Sequence, residues 1–194
     1  HSIRRRQRQM CIRDSHLKII SGTHKGQNIL TINDSKTRPM MGVAREGIFS
    51  SLQFQIEDSM ILDLYAGSGS MGIEALSRGA LYVTFVDSSD KCVNIIEKNL
   101  TKFGNNYNIQ KMSADKYISN AYDKYRIIFY DPPFIFDDSK ISEEISNLEN
   151  LIEEDGIIVC HRHIKAVTSI TSKKLKIYKE KLYGQSRILL IKKL

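Results

Sequence analysis

Two clusters of residues in this 194-residue chain have the types and spacing to do chemistry. The first is Asp131-Pro132-Pro133-Phe134, which follows the apolar run RIIFY, residues 126–130. Two prolines cannot continue a buried strand, because each lacks a backbone donor. They stiffen a carboxylate and a backbone carbonyl beside an aromatic ring. That set suits an exocyclic amine on a nucleobase. Such an amine is a poor nucleophile, because its lone pair is delocalised into the ring. Asp131 and the Pro132 carbonyl can each accept one of its two hydrogens. The nitrogen then becomes more tetrahedral, with its lone pair directed at an electrophile. Phe134 can stack on the base and hold its plane.

The second cluster is MILDLYAGSGSMG, residues 60–72. It begins as an apolar strand holding one acid, Asp63, breaks at Ala66-Gly67 and enters a helix near Ser70. Gly67, Gly69 and Gly72 satisfy G-x-G-x-x-G, and Asp87 lies where a ribose-binding acid is expected. The turn leads to a helix N-terminus, where free N–H groups can face a polar ligand. This pattern indicates a nucleoside cofactor without specifying which. A dehydrogenase would use the same glycines and acid, but it would not account for residues 131–134.

The elements that position these residues alternate between strand and helix. Strands are expected at 60–65, 81–86, 108–112, 126–130 and 157–161. Helices are expected at 70–77, from Ser88-Ser89 to about Phe103, at 116–121 and at 139–152. An Asp155-Gly156 turn should precede the fifth strand, and two basic strands should close the chain at 175–182 and 186–192. Such alternation predicts an α/β fold with a parallel sheet covered on both faces. Ligands in such sheets bind beyond the strand carboxyl ends. Asp63 to Gly69, Asp87, Asp115 and Asp131 all fall there, so four distant segments should meet along one rim. Before the body, residues 17–21 and 27–32 read as a hairpin turning at 22–26. Thr37-Arg38-Pro39 reads as a loop, and 43–54 as a helix. The expected organisation is a leader over 1–15, an extension over 16–57 and the nucleotide-binding domain over 58–194.

Composition narrows the function classes. No apolar run approaches the ~18 residues of a membrane helix. Three separated cysteines form neither a disulfide framework nor a zinc site, which suits a reducing cytoplasm. Residues 1–15 hold five of the eleven arginines and no apolar periodicity, so they are left out of the fold. Residues 58–160 carry nine basic against seventeen acidic side chains, and residues 161–194 carry ten against one. A polyanionic partner touching one side, or a lysine-coated edge hairpin, would each account for that asymmetry. His161 and His163 lack an organised ligand set and are expected on the surface at a strand end. No metal is expected.

The segments ILDLYAGSGSMGIEALSRGA (61–80), TFVD (84–87) and DPPF (131–134), with TRPMMGVAREGIF (37–49) and LKIISGTHKGQNIL (17–30), resemble the bacterial RsmD-type methyltransferases. These enzymes use S-adenosylmethionine to methylate a guanine N2 in small-subunit ribosomal RNA. The resemblance covers the chain from Leu17 onward. It implies a class I Rossmann-like fold, with a seven-stranded mixed sheet plus the N-terminal hairpin and helix. It implies that Asp63, Ala66, Gly67 and Gly69 line the methionine part of the cofactor, that Asp87 and Ser88 meet the ribose, and that Asp115 meets the adenine amine. Asp131, Pro132 and Phe134 would be catalytic, with Arg38, Arg45 and Pro133 on the substrate side. The partner would be ribosomal RNA or an assembling small subunit, met by a monomer. Met40-Met41-Gly42-Val43 departs from the Thr-Thr-Asp-Arg-like run usual in the family. DPPF alone also occurs in methyltransferases acting on adenine N6 or cytosine N4 of DNA or RNA. A catalytically retired RNA-binding assembly protein is the non-enzymatic alternative.

Overall fold

A computed structural model describes residues 17–32 and 42–194. The leader, the loop at 37–39 and Met40-Met41 lie outside the described residues. The elements follow the chain as β1 (Leu17–Lys18), β2 (Asn28–Ile29), α1 (Gly42–Leu52), β3 (Met60–Leu64), α2 (Ser70–Ser77), β4 (Tyr82–Asp87) and α3 (Asp90–Leu100). Then come β5 (Tyr107–Lys111), α4 (Ala114–Asn120), β6 (Tyr125–Tyr130), α5 (Asp138–Leu148), β7 (Ile152–His163), β8 (Leu175–Tyr183) and β9 (Ser186–Lys193).

Seven strands form one sheet in the order β5-β4-β3-β6-β7-β9-β8. The pairs among β3 to β7 are parallel, and β9 and β8 add antiparallel pairs at one edge. The chain runs outward from β3 to β5, then returns to place β6 on the other side of β3. The order therefore switches between β3 and β6, and ligands of such sheets bind in the crevice beyond the carboxyl ends at that point.

Alternation along each strand divides the core in two. Ile61, Val83, Phe85, Ile127 and Phe129 face α1, α2, α3 and the hairpin, packing on Ile48, Phe49, Ile73, Ile96 and Leu100. Leu62, Leu64, Ile128 and Tyr130 face α4 and α5, packing on Tyr117, Ile141, Ile145 and Leu148. Ile19 and Ile29 of the hairpin join the first core.

Four features differ from expectation. The hairpin strands are two residues each, because the N–H groups of Ile20 and Ser21 donate to the Glu74 carboxylate of α2 instead of a ladder. Helix α5 stops at Leu148, and β7 starts at Ile152. Leu148, Leu151 and Ile152 keep helical spacing because all three pack in the same core. The expected Asp155-Gly156 turn is a bulge inside β7, where the register jumps between Tyr125↔Ile152 and Ile127↔Ile157 and Asp155 adopts φ 60°. Helix α3 ends at Leu100, short of Phe103, and Ser89 at its N-cap makes no side-chain cap.

The basic C-terminal segment is partly neutralised within the fold. Lys174 pairs with Glu149, Lys192 with Asp155, Lys193 with Glu154, Arg162 with Asp138 and Arg187 with Glu180. In four of these pairs an acid of the body meets a cation of the C-terminal segment, and the fifth, Arg187 with Glu180, lies within the edge strands.

Candidate active site at the switch in strand order

The glycine turn is held by carboxylates reaching backbone N–H groups. After β3, Tyr65, Gly67 and Gly69 all adopt positive φ, at 58°, 57° and 76°. Gly69 is the N-cap of α2, a left-handed position that costs a glycine little. A Cβ on Gly72 would lie 2.3 Å from the Phe85 ring, so only glycine lets α2 approach β4 this closely. Asp87 accepts from Gly67 N at 2.9 Å through Oδ2 and from Ser89 N at 2.9 Å through Oδ1. Asp63, buried beneath the turn, accepts from Gly72 N at 2.9 Å. Burial raises the Asp63 pKa well above its usual range, the Gly72 N–H opposes this, and the charges of Asp131 and Asp87 raise it further. Asp63 thus lies close enough to Asp87 and Asp131 to feel both charges.

Across the crevice, Asp131 follows β6, and its N–H lies 3.5 Å from Leu64 O. Pro132 is buried and Pro133 exposed. Phe136 N donates to Pro133 O at 3.0 Å, closing a turn that holds out Phe134, 49% exposed, and Ile135. Asp131 Oδ1 lies 2.7 Å from His161 Nδ1. His161 Nε2 lies 2.9 Å from Ser186 Oγ. The Phe134 ring stands edge-on to His161 and His163, with centroids 5.1 and 6.0 Å away.

A third group sits on the α4–α5 side. Asp115, in the first turn of α4, pairs with Lys140 at 3.1 Å. The Lys140 Nζ lies 4.3 Å from the centre of the Phe136 ring. Buried Glu144 accepts hydrogen bonds from the hydroxyls of Tyr65 and Tyr130. Burial raises the Glu144 pKa, and the two hydroxyls oppose it. The neighbouring Glu144 carboxyl and Lys140 hold Asp115 below the usual carboxylate range.

The family model Conserved hypothetical protein 95 matches residues 17–192. A Buchnera aphidicola (Acyrthosiphon pisum) protein named Ribosomal RNA small subunit methyltransferase D is 33% identical over 178 residues, covering 89% of this chain and 91% of its own. The protein of that name from Escherichia coli K12 is 27% identical, covering 87% and 86%. The chain belongs to the RsmD-type methyltransferase family. The solved structure of yhhF from Escherichia coli superposes with a TM-score of 0.82 at 27% identity, over 92% of this chain and 98% of that one. The sheet order and crevice are accordingly those of a class I methyltransferase.

Within this family framework, most of the expected site residues converge. Asp63, Ala66, Gly67, Gly69 and Asp87 form one wall, with exposed Ser88 beyond the end of β4. Asp115 lies at the α4 end, and Asp131 to Phe134 form the opposite wall. Arg45 does not join them. It is 1% exposed, its Nη2 lies 3.2 Å from Glu74 Oε2, and its Nη1 donates to Lys18 O. The charge expected at the substrate instead ties α1 and the hairpin to α2, since Glu74 is fully buried and needs a cation. Arg38 lies outside the described residues. His161 corrects the expectation in the other direction: it is 4% exposed and bonded to Asp131. One sequence signal could have found it. The apolar runs of β6 and β7 each end in a polar residue, RIIFY in Asp131 and GIIVC in His161, so in-register parallel pairing sets the two side by side. Among the described residues, no group of three or more His, Cys, Asp or Glu is placed to hold a metal ion. No helix there is long and apolar enough to cross a membrane.

Proposed function

We propose that this protein transfers a methyl group from S-adenosylmethionine to the exocyclic N2 amine of a guanine in small-subunit ribosomal RNA. The observation that carries the reading is the half-exposed Asp131 carboxylate, held across the strand-order switch from the glycine turn, with Phe134 beside it. The donor set fits the cofactor. Asp63, Asp87 and Asp131 create a negative potential suited to a sulfonium, and Asp87 stands at the strand end where a ribose diol would lie. When bound, S-adenosylmethionine supplies a methyl carbon made electrophilic by its sulfonium, whose sulfur keeps the bonding pair as the methyl leaves.

The residues of the chain do the rest. Phe134 stacks on a base turned out of its strand, and the stiff Pro132-Pro133 backbone fixes the height of that stack. Asp131 accepts one amine hydrogen and the Pro132 carbonyl the other, which turns the nitrogen lone pair toward the methyl carbon. As the N–C bond forms, the nitrogen gains positive charge, and the proton it sheds leaves toward Asp131. The attraction to Asp131 grows as that charge develops, so it speeds the chemical step rather than tightening ground-state binding. Asp115 and the Lys140 pair shape the adenine end. Catalysis rests on alignment and charge, with no covalent enzyme intermediate.

The test is transfer itself. Purified protein is incubated with tritium-labelled S-adenosylmethionine and small-subunit rRNA from cells lacking this protein, both free and assembled. One guanine should carry label at N2 after digestion to nucleosides. Label on adenine N6 or cytosine N4, or on DNA alone, would replace the target. Cofactor binding without transfer to any nucleic acid would overturn the catalytic reading.

A further inference from the structure

Asp131 does not stand alone, and the side chain that holds it is one the reaction scheme above does not use. The parallel register Tyr130↔Cys160 sets the next residues of β6 and β7, Asp131 and His161, side by side. The His161 ring is almost wholly buried, whereas the Asp131 side chain is 37% exposed. The histidine therefore sits under the carboxylate, on the side away from the rim. An ionised carboxylate can only accept hydrogen bonds, so the hydrogen in the 2.7 Å contact rides on His161 Nδ1. In the neutral ring Nε2 must then accept, and Ser186 Oγ–H, at 2.9 Å on the first residue of β9, supplies that hydrogen. Two bonds from opposite sides fix the plane of the ring, and the edge contact with Phe134 links it to the stacking residue. The nearest arginines on these strands are engaged elsewhere, Arg162 with Asp138 and Arg187 with Glu180.

We propose that His161, oriented by Ser186, is a positioning residue for methyl transfer: it occupies Oδ1 of Asp131 and thereby presents Oδ2 to the target amine. A free carboxylate on a loop rotates about its side-chain torsions and must be caught in the right pose at each turnover. A carboxylate pinned through one oxygen needs no such rearrangement when charge appears on the amine. The His161–Ser186 pair supplies that rigidity from the sheet. It thus transmits the alignment of three strands, β6, β7 and β9, to one oxygen atom. The inference rests on the methyltransferase reading of the site.

The amide side chains separate the two ring nitrogens. In His161→Asn the amide nitrogen takes the place of Nδ1 and keeps the bond to Asp131. In His161→Gln the amide takes the place of Nε2 and keeps only the contact with Ser186. Single-turnover methylation of the rRNA substrate should slow by roughly 10–100-fold in His161→Ala, the scale for losing a residue that orients a reacting group. His161→Asn should recover to within a few-fold of the parent protein, and His161→Gln should not. Ser186→Ala, at the half-exposed end of the chain of bonds, should slow turnover about three-fold and keep the fold intact. Cofactor affinity by calorimetry and the KM for RNA should stay unchanged throughout. In an Asp131→Ala background, adding His161→Ala should cost nothing further, because the histidine acts only through the aspartate. Equal rates for His161→Asn and His161→Gln, additive losses in the double variant, or a loss confined to KM would each overturn the assignment. Normal turnover in Asp131→Ala alone would instead overturn the reading of the site on which the inference stands.

Discussion

The two walls of the crevice are built from the same residue type by opposite means. On the wall proposed for the cofactor, Asp63 and Asp87 accept from backbone N–H groups of the glycine turn, of α2 and of the start of α3. These acids hold the shape of the chain, so the wall is rigid before any ligand arrives. On the amine wall, Asp131 is held by a side chain, His161, which a third strand holds in turn. The first arrangement couples the proposed cofactor contacts to local stability. The second leaves a carboxylate whose loss disturbs little of the backbone, which suits a group that must meet charge as it forms. Damage to the cofactor wall should therefore appear in affinity and melting temperature together, and damage to the amine wall in turnover alone.

The strongest break of that contrast is Asp131→Ala. Turnover should fall by about 10³-fold, equivalent to roughly 4 kcal/mol of transition-state stabilisation. Cofactor affinity by calorimetry and melting temperature should remain near those of the parent. A comparable fall in both would mean that Asp131, too, is a structural acid.

The converse is Asp87→Ala. Loss of hydrogen bonds to a charged group should weaken cofactor binding by about 1–3 kcal/mol, or roughly five- to 150-fold. Because Gly67 N and Ser89 N also lose their acceptor, the melting temperature should fall by about 2–4 °C for each kcal/mol lost. Weakened binding with an unchanged melting temperature would show that the turn keeps its shape without the acid.

The same division explains what could be read from the sequence. The glycine turn was legible because backbone geometry forces the residue type: left-handed positions and a helix pressed against a strand leave little but glycine. The parallel α/β sheet followed from alternation of apolar runs with helices, and the prolines of residues 131–134 gave away the end of β6. Side-chain partnerships across the sheet were not legible. The family resemblance put Arg45 on the substrate side, and nothing in the sequence marks its buried partner Glu74, 29 positions away. His161 looked like a surface residue because its partner depends on the register of two strands separated by a helix. The end of α5 was obscured because Leu148, Leu151 and Ile152 keep helical spacing across the junction while packing in one core.

Asp63 sharpens the comparison from within the cofactor wall. Its folded pKa lies well above the ordinary value, chiefly through burial. A carboxyl shifted in this direction favours the folded state while it is protonated in both states. That contribution is lost as pH rises from the unfolded value through the folded one. Asp63→Asn keeps an oxygen for Gly72 N and removes the titration. It should raise the melting temperature at pH 7.5, and the gain should vanish near pH 4. Cofactor affinity should fall at the same time, since the sulfonium loses one of three carboxylates. A lower melting temperature at pH 7.5 would show that the Gly72 bond outweighs the burial of charge.

The smallest effect concerns the basic edge, where the position of each lysine along the strands decides its role. Ser186 pairs with both His163 and Tyr183, so the β8–β9 turn lies at the rim with Asp131. Leu175 pairs with Lys193, which puts Lys173, Lys174 and Lys176 at the opposite end of the sheet. Strands rise about 3.3 Å per residue, so eight residues of β8 separate the two ends by roughly 25 Å. An RNA that delivers its base to Phe134 therefore passes Lys165, exposed just beyond β7, more readily than it reaches Lys173. Removing a phosphate-contacting lysine lowers the slope of log affinity against log salt by about one. Lys165→Ala should show a change of that size with rRNA, whereas Lys173→Ala with Lys176→Ala should leave the slope where it was. A reduced slope in the second protein would place phosphates along the whole length of β8 and make the edge strand part of the RNA track.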